Sequence, residues 1–97
     1  MHATPDARTF NEAVKDGTVG QKMHRILETL QPEAVYFTEI GGERSCYYVV
    51  DIPDAAKIPF YSEPWFLSFD AKVELHPCIS PEDLNKSNLE DLGKKWR

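Results

Sequence analysis

Glu74 and His76, separated by one residue, carry the strongest chemical signal in this chain of 97 residues. They sit in "AKVELHPCI", where polar and apolar residues alternate as on a strand with one wet face. Alternate strand residues share a face, which puts the two β-carbons roughly 7 Å apart. A carboxylate beside an imidazole orients the ring and stabilises its protonated form, as general acid–base catalysis requires. In that role His76 is the acid/base and Glu74 its orienter. The plainer use of the same pair is hydrogen bonding in a polar interface.

A second group lies upstream, where Phe60, Tyr61, Trp65 and Phe66 crowd into seven positions. Aromatic rings bury about 150–250 Å² each, so they fill a core or an interface, or offer a flat wall to an apolar or aromatic ligand. Trp65 and Phe66 are the candidates for that wall. Glu63, just before Pro64, reads as a carboxylate at a helix start.

Other chemistries find little support. His2, His24 and His76 have no ligand spacing, and no HExxH or CxxC occurs, so no metal and no cofactor is expected. His24 and Glu28 make an ordinary surface pair one helical turn apart. Cys46 and Cys78 fall in strand segments without an activating partner, and there is no GxSxG. Gly41-Gly42 belongs to a turn, since no helix follows it to make a phosphate loop.

The elements that position these residues follow from periodicity. Phe10, Ala13 and Val14 share a helical face, and Val19, Met23, Ile26, Leu27 and Leu30 share another. Helices are predicted near 6–16 and 19–31, divided at Gly17, with Thr18 and Gln21 at capping-box spacing. Beyond Pro32 the period becomes 2. "AVYFTEI" and "RSCYYVVDI" flank Gly41-Gly42, a hairpin in which Ile40 faces Glu43, Phe37 faces Cys46 and Val35 faces Tyr48. One hairpin face is then apolar (Val35, Phe37, Cys46, Tyr48, Val50, Ile52). The other carries Tyr36, Thr38, Ser45, Tyr47 and Asp51, of which Tyr36, Thr38 and Tyr47 form the candidate ligand lining with Glu74 and His76.

Three prolines in "PDAAKIPFYSEPWFLSF" predict short helical pieces starting near Pro53 and Pro64 in place of one straight helix. In the next strand Val73 and Leu75 face the core, opposite Lys72, Glu74 and His76. Ser80-Pro81-Glu82-Asp83 is a strong helix start, and Leu84, Leu89, Leu92 and Trp96 give the tail an apolar side. Helices on one face of an antiparallel sheet make an α+β layer. A ferredoxin-like βαββαβ unit needs a strand before the first helix, and only "MHAT" is there to supply it.

Composition bounds the partners. Ninety-seven residues make one domain, with a net charge of −5. The eleven basic residues are scattered apart from "GKKWR", so the basic stripe that polyanion binding needs is absent and no nucleic acid is expected. No apolar run approaches the roughly 18 residues of a membrane span, and "MHATPDARTF" has no apolar signal core. With two cysteines only, a reduced cytoplasmic setting is expected, and no membrane partner.

The blocks Pro32-Glu33-Ala34, Tyr36-Phe37, Val49-Val50-Asp51, Ile58-Pro59, Glu63 to Leu67, Glu74, His76-Pro77 and Pro81 to Leu84 resemble a family of small bacterial proteins of unknown function. The likeness runs from about Asn11 to Leu84, and "EPWFL" is its most specific part. It implies a ferredoxin-like sandwich that pairs as a dimeric α/β barrel, with the first strand short or missing here. Some members carry a pantothenate-synthetase-like name, but this chain has no nucleotide-binding motif for such a ligase. The function implied is a homodimeric small-molecule-binding or accessory module. The alternative is a cofactor-independent isomerase, cyclase or monooxygenase-type enzyme using His76 and Glu74, with Tyr36 or Tyr47 stabilising an oxyanion.

Overall fold

The computed structural model describes residues 1–97. "MHAT" does supply the missing strand. β1 (His2–Thr4) is three residues long, and it occupies a central place in a four-stranded sheet of order β2-β3-β1-β4. So short a strand holds because both its edges are paired. His2 and Ala3 oppose Tyr47 and Cys46 of β3, while His2, Ala3 and Thr4 oppose Glu74, Val73 and Lys72 of β4. Met1 extends the ladder: its carbonyl accepts from the Tyr48 N–H at 2.9 Å, and its ammonium donates to the Tyr48 carbonyl at 2.6 Å.

Helix α1 (Ala7–Asp16) starts at Asp6, whose carboxylate accepts from the Thr9 N–H at 3.0 Å. It stops at Gly17, which takes the left-handed conformation at φ 83°. Helix α2 (Val19–Leu30) follows at once, but the capping box expected of Thr18 and Gln21 does not form. The Thr18 hydroxyl donates instead to Asp16 Oδ1 at 2.6 Å, and its N–H does so at 2.9 Å, so this side chain is already committed to the turn. These hydrogen bonds hold both carboxyls below the ordinary 3.8, Asp6 through Thr9 and Asp16 through Thr18.

The hairpin of β2 (Ala34–Ile40) and β3 (Glu43–Val49) has the expected register, including Tyr36 opposite Tyr47 and Thr38 opposite Ser45. Gly41 and Gly42 turn it at φ 59° and 79°, angles that suit a two-residue turn and disfavour other residues.

The proline-rich stretch corrects expectation. The piece near Pro53 is a single 3₁₀ turn, Ala55–Lys57, capped by Asp54. Helix α3 (Ile58–Phe69) then runs without interruption through Pro64, so no helix starts there and Glu63 is not a helix-start carboxylate. Proline at 64 deprives the Phe60 carbonyl of its N–H donor and costs about 3 kcal/mol in a helix interior. Tertiary contacts outweigh that cost. Ser62, Trp65 and Phe69 are all buried on one side of α3, and Tyr48 Oη donates to the Tyr61 carbonyl at 2.9 Å. The helix ends at Asp70, left-handed at φ 46°.

β4 is shorter than expected, Lys72–Glu74, and Leu75 beyond it is exposed. Two short helices complete the chain, α4 (Pro81–Lys86) and α5 (Leu89–Lys95). Ser80 and Asp83 form the capping box before α4, with Pro81 at the first helical position. The core lies between one face of the sheet (Ala3, Cys46, Tyr48) and the helices (Ala13, Ile26, Leu30, Trp65, Phe69). Phe37 shares that face, but at the edge strand it lies beyond the helical cover and is exposed. The whole is an α+β structure with a four-stranded antiparallel sheet and five α-helices, compatible with a ferredoxin-like fold. No helix is long and apolar enough to cross a membrane.

Candidate functional site

The face of the sheet turned away from the helices carries most of the candidate residues. Strand parity puts Tyr36, Thr38, Tyr47, His2 and Glu74 there, and register aligns four of them in one row. Tyr36 opposes Tyr47, Tyr47 opposes His2, and His2 opposes Glu74, so the row crosses all four strands. Three strand spacings make it about 14 Å long. Thr38 lies one step along β2, opposite Ser45, the only buried residue on this face. No helix covers the face: Tyr36 is 70% exposed, and Tyr47, Val49 and Ile40 are exposed too.

At its β4 end the row becomes a hydrogen-bonded cluster. His76 Nε2 and Glu74 Oε2 are 3.1 Å apart, so the predicted pair does meet, although His76 lies beyond the strand itself. When Nε2–H donates to that oxygen, Nδ1 of His76 is left as an acceptor for another proton. The side chains of His76 and Glu74 are 69% and 65% exposed. Water therefore weakens their coupling, and catalysis would need the pair to be covered.

His2 is the member that sequence reasoning missed. Its ring stacks on Tyr47 at a centroid distance of 4.5 Å and an interplanar angle of 13°. Nδ1 lies 4.0 Å from the same Glu74 oxygen that meets His76, and Nε2 lies 3.4 Å from Thr4 Oγ1. Glu74 thus stands between two imidazoles. The only sequence signal was the alternation within "MHAT", too short to be persuasive before its neighbours were known.

His76 also lines a cavity of about 400 Å³ at the end of the sheet, with Met1, Val49, Asp51, Ile58 and Cys78 among the other walls. Glu74 does not reach it. The volume falls within the roughly 300–1,000 Å³ of small-molecule sites.

Trp65 and Phe66 do not join this group. Trp65 is wholly buried in the core, on the opposite side of the sheet, stacked near Tyr48 at 5.7 Å and tilted against Phe69 at 6.1 Å. Phe66, on the adjoining part of α3, is exposed. Tyr36, Thr38 and Tyr47 share one face, while the two α3 aromatics belong to the helix layer, because α3 packs against the other face of the sheet. Beneath the sheet the Trp65 indole N–H is buried without a hydrogen-bond partner. The Trp65 side chain borders another groove of about 350 Å³ lined also by Phe10, Met23, Phe37, Arg44 and Cys46. Arg44 closes one side, its guanidinium 4.5 Å from the Phe10 ring and its Nη1 donating to Asn11 Oδ1 at 2.7 Å.

The cysteines are free, Cys46 buried and Cys78 exposed. Burial pushes the Cys46 thiol up to about 11, far from the range of a nucleophile at neutral pH. The Tyr48 hydroxyl is raised too, by burial first and then by its closeness to Cys46. No group of three or more His, Cys, Asp or Glu side chains is arranged to hold a metal ion. No protein-family model, no curated protein and no solved structure matches the chain.

Proposed function

We propose that this chain is a homodimeric small-molecule-binding module in which two copies face each other through their open sheet faces, as in a dimeric α/β barrel. The observation that carries the reading is the Tyr36–Tyr47–His2–Glu74 row on a face that no helix covers, ending at a His76 that also borders the 400 Å³ cavity. The ligand class that fits is small, flat and partly aromatic, with a polar end. Tyr36, Tyr47 and the stacked His2 supply ring faces, and His76, Glu74 and Thr38 supply donors and acceptors. A second sheet laid over this face at about 10 Å would screen the His76–Glu74 pair from water.

Two measurements test this. Sedimentation at micromolar concentration is expected to show a dimer, and an 11.1 kDa species alone would end the assembly reading. Titration with 4-hydroxybenzoate is expected to move the His76 and Tyr47 ring resonances, and His76→Ala to weaken that response. No shift at millimolar probe would end the assignment of this ligand class.

One observation supports a second reading. The His76–Glu74 contact at 3.1 Å suits a cofactor-independent isomerase, cyclase or monooxygenase-type enzyme, with Tyr36 or Tyr47 stabilising an oxyanion. Such chemistry rests on analogy of fold, which hosts many activities. The two readings part at His76→Ala: a binding module loses affinity, whereas an enzyme loses turnover.

A further inference from the structure

The last twenty-one residues, Pro77 to Arg97, are all exposed. Neither α4 nor α5 buries a residue. Helices of six and seven residues are far below the roughly 12–15 that make a helix even marginal in water, so they require tertiary contact. Yet both carry helix-end signals. α4 has a complete capping box, acids open both helices, and lysines close both. Leu89, Leu92 and Trp96 recur at the spacing of one helical face, and all three stand in solvent together with Ile79 and Leu84.

The dimensions say the same. The radius of gyration is 17.1 Å, where a compact chain of this length has about 13 Å, and the longest axis is 59 Å. The accessible surface is 7388 Å², against roughly 5,700 Å² for a folded monomer of 11.1 kDa. The excess, roughly 1,700 Å², exceeds the ~800 Å² that each partner buries in a standard stable interface.

We infer that this C-terminal arm is an exchanged clasp that packs its Leu89–Leu92–Trp96 side on a second copy of the chain. The inference rests on the pairing of sheet faces proposed above and adds a second contact surface to it. Continuity favours that occupant. The arm leaves directly from β4, an edge strand of the open face, and its root at Pro77 and Cys78 walls the cavity beside His76. From that edge it crosses the seam between two facing sheets, so each arm helps to close the ligand chamber at its His76 end.

A spin label on Lys95→Cys in a Cys78→Ser background tests this, since buried Cys46 stays unlabelled. Labelled chains without ¹⁵N are mixed with unlabelled ¹⁵N chains. Broadening of the ¹⁵N amides in mixed dimers is expected, because the arm of one chain touches the other. Leu89→Ser with Leu92→Ser is expected to remove the broadening and raise the dimer Kd at least about tenfold. Both positions are exposed, so far-UV circular dichroism should show that the body stays folded. Dimers that form without broadening between chains would overturn the clasp and leave the sheet pairing standing. A chain that stays monomeric throughout would overturn both.

Discussion

The two faces of one sheet meet different fates. Cys46, Tyr48 and Ala3 look toward the helices and are almost wholly buried, while Tyr47, the residue between the first two, stands in solvent with Tyr36 and Glu74 of neighbouring strands. The inner face is core except at its Phe37 edge; the outer face lies open to solvent. A tyrosine occurs on each side. Tyr48 is a core residue whose hydroxyl supports α3 at Tyr61, whereas Tyr47 is a platform on which His2 stacks. Neighbours in sequence thus do unrelated work, since strand geometry sends them opposite ways.

The sharpest way to break this comparison is to truncate one aromatic on each side. Trp65→Ala is expected to destabilise the chain by about 3–5 kcal/mol in urea denaturation, a large part of the ~5–15 kcal/mol that holds a typical domain together. Tyr36→Ala should change the stability of the single chain by less than about 0.5 kcal/mol, because its ring is exposed there. Similar losses from both would mean that the outer face is already packed in the monomer.

Alkaline pH gives a smaller effect of the inner face alone. Burial raises the Cys46 thiol from 9.0 to about 11, so its contribution is complete below 9.0 and is lost as pH rises through about 11. Chemical denaturation across that window should reveal a loss of roughly 2–3 kcal/mol, which Cys46→Ala reduces. Tyr48, raised in the same direction, sustains the decline above 10.0. A flat profile between these values would sink the description of a dry inner face. Thiol labelling at pH 8 sharpens it further. Cys78 should react at once and Cys46 only as fast as the core opens.

The smallest expected effect lies outside the sheet. Asp6→Ala should lower Tm modestly at pH 7 through the lost cap on α1. The Asp6 carboxyl is held below 3.8, so its contribution is present above that value and disappears as pH falls through the lower folded one. The Tm difference between the two proteins should therefore close in acid.

Local signals account for much of this molecule. The hairpin register was legible because a two-residue turn needs positive φ at both positions and the two adjacent glycines mark where it falls, and every side chain then follows with period 2. The Ser80 start and the Gly17 stop were legible for the same kind of reason, a side chain or a positive φ acting within a few residues. Strand alternation was enough to anticipate the Glu74–His76 contact, although the strand stops at Glu74 and His76 meets it from the segment beyond. Other features depend on distant residues. β1 exists because β3 and β4 pair with both edges of three residues, and His2 reaches the site only through them. Trp65 could be read from its neighbours as pocket wall or as core, and the burial of one side of α3 decided for core. Pro64 stays within a helix because packing and the Tyr48 hydrogen bond outweigh a local penalty, a balance that no window of sequence contains. Alternation and turn chemistry act over a few residues and are written in order along the chain, whereas burial is a property of where the chain returns to itself.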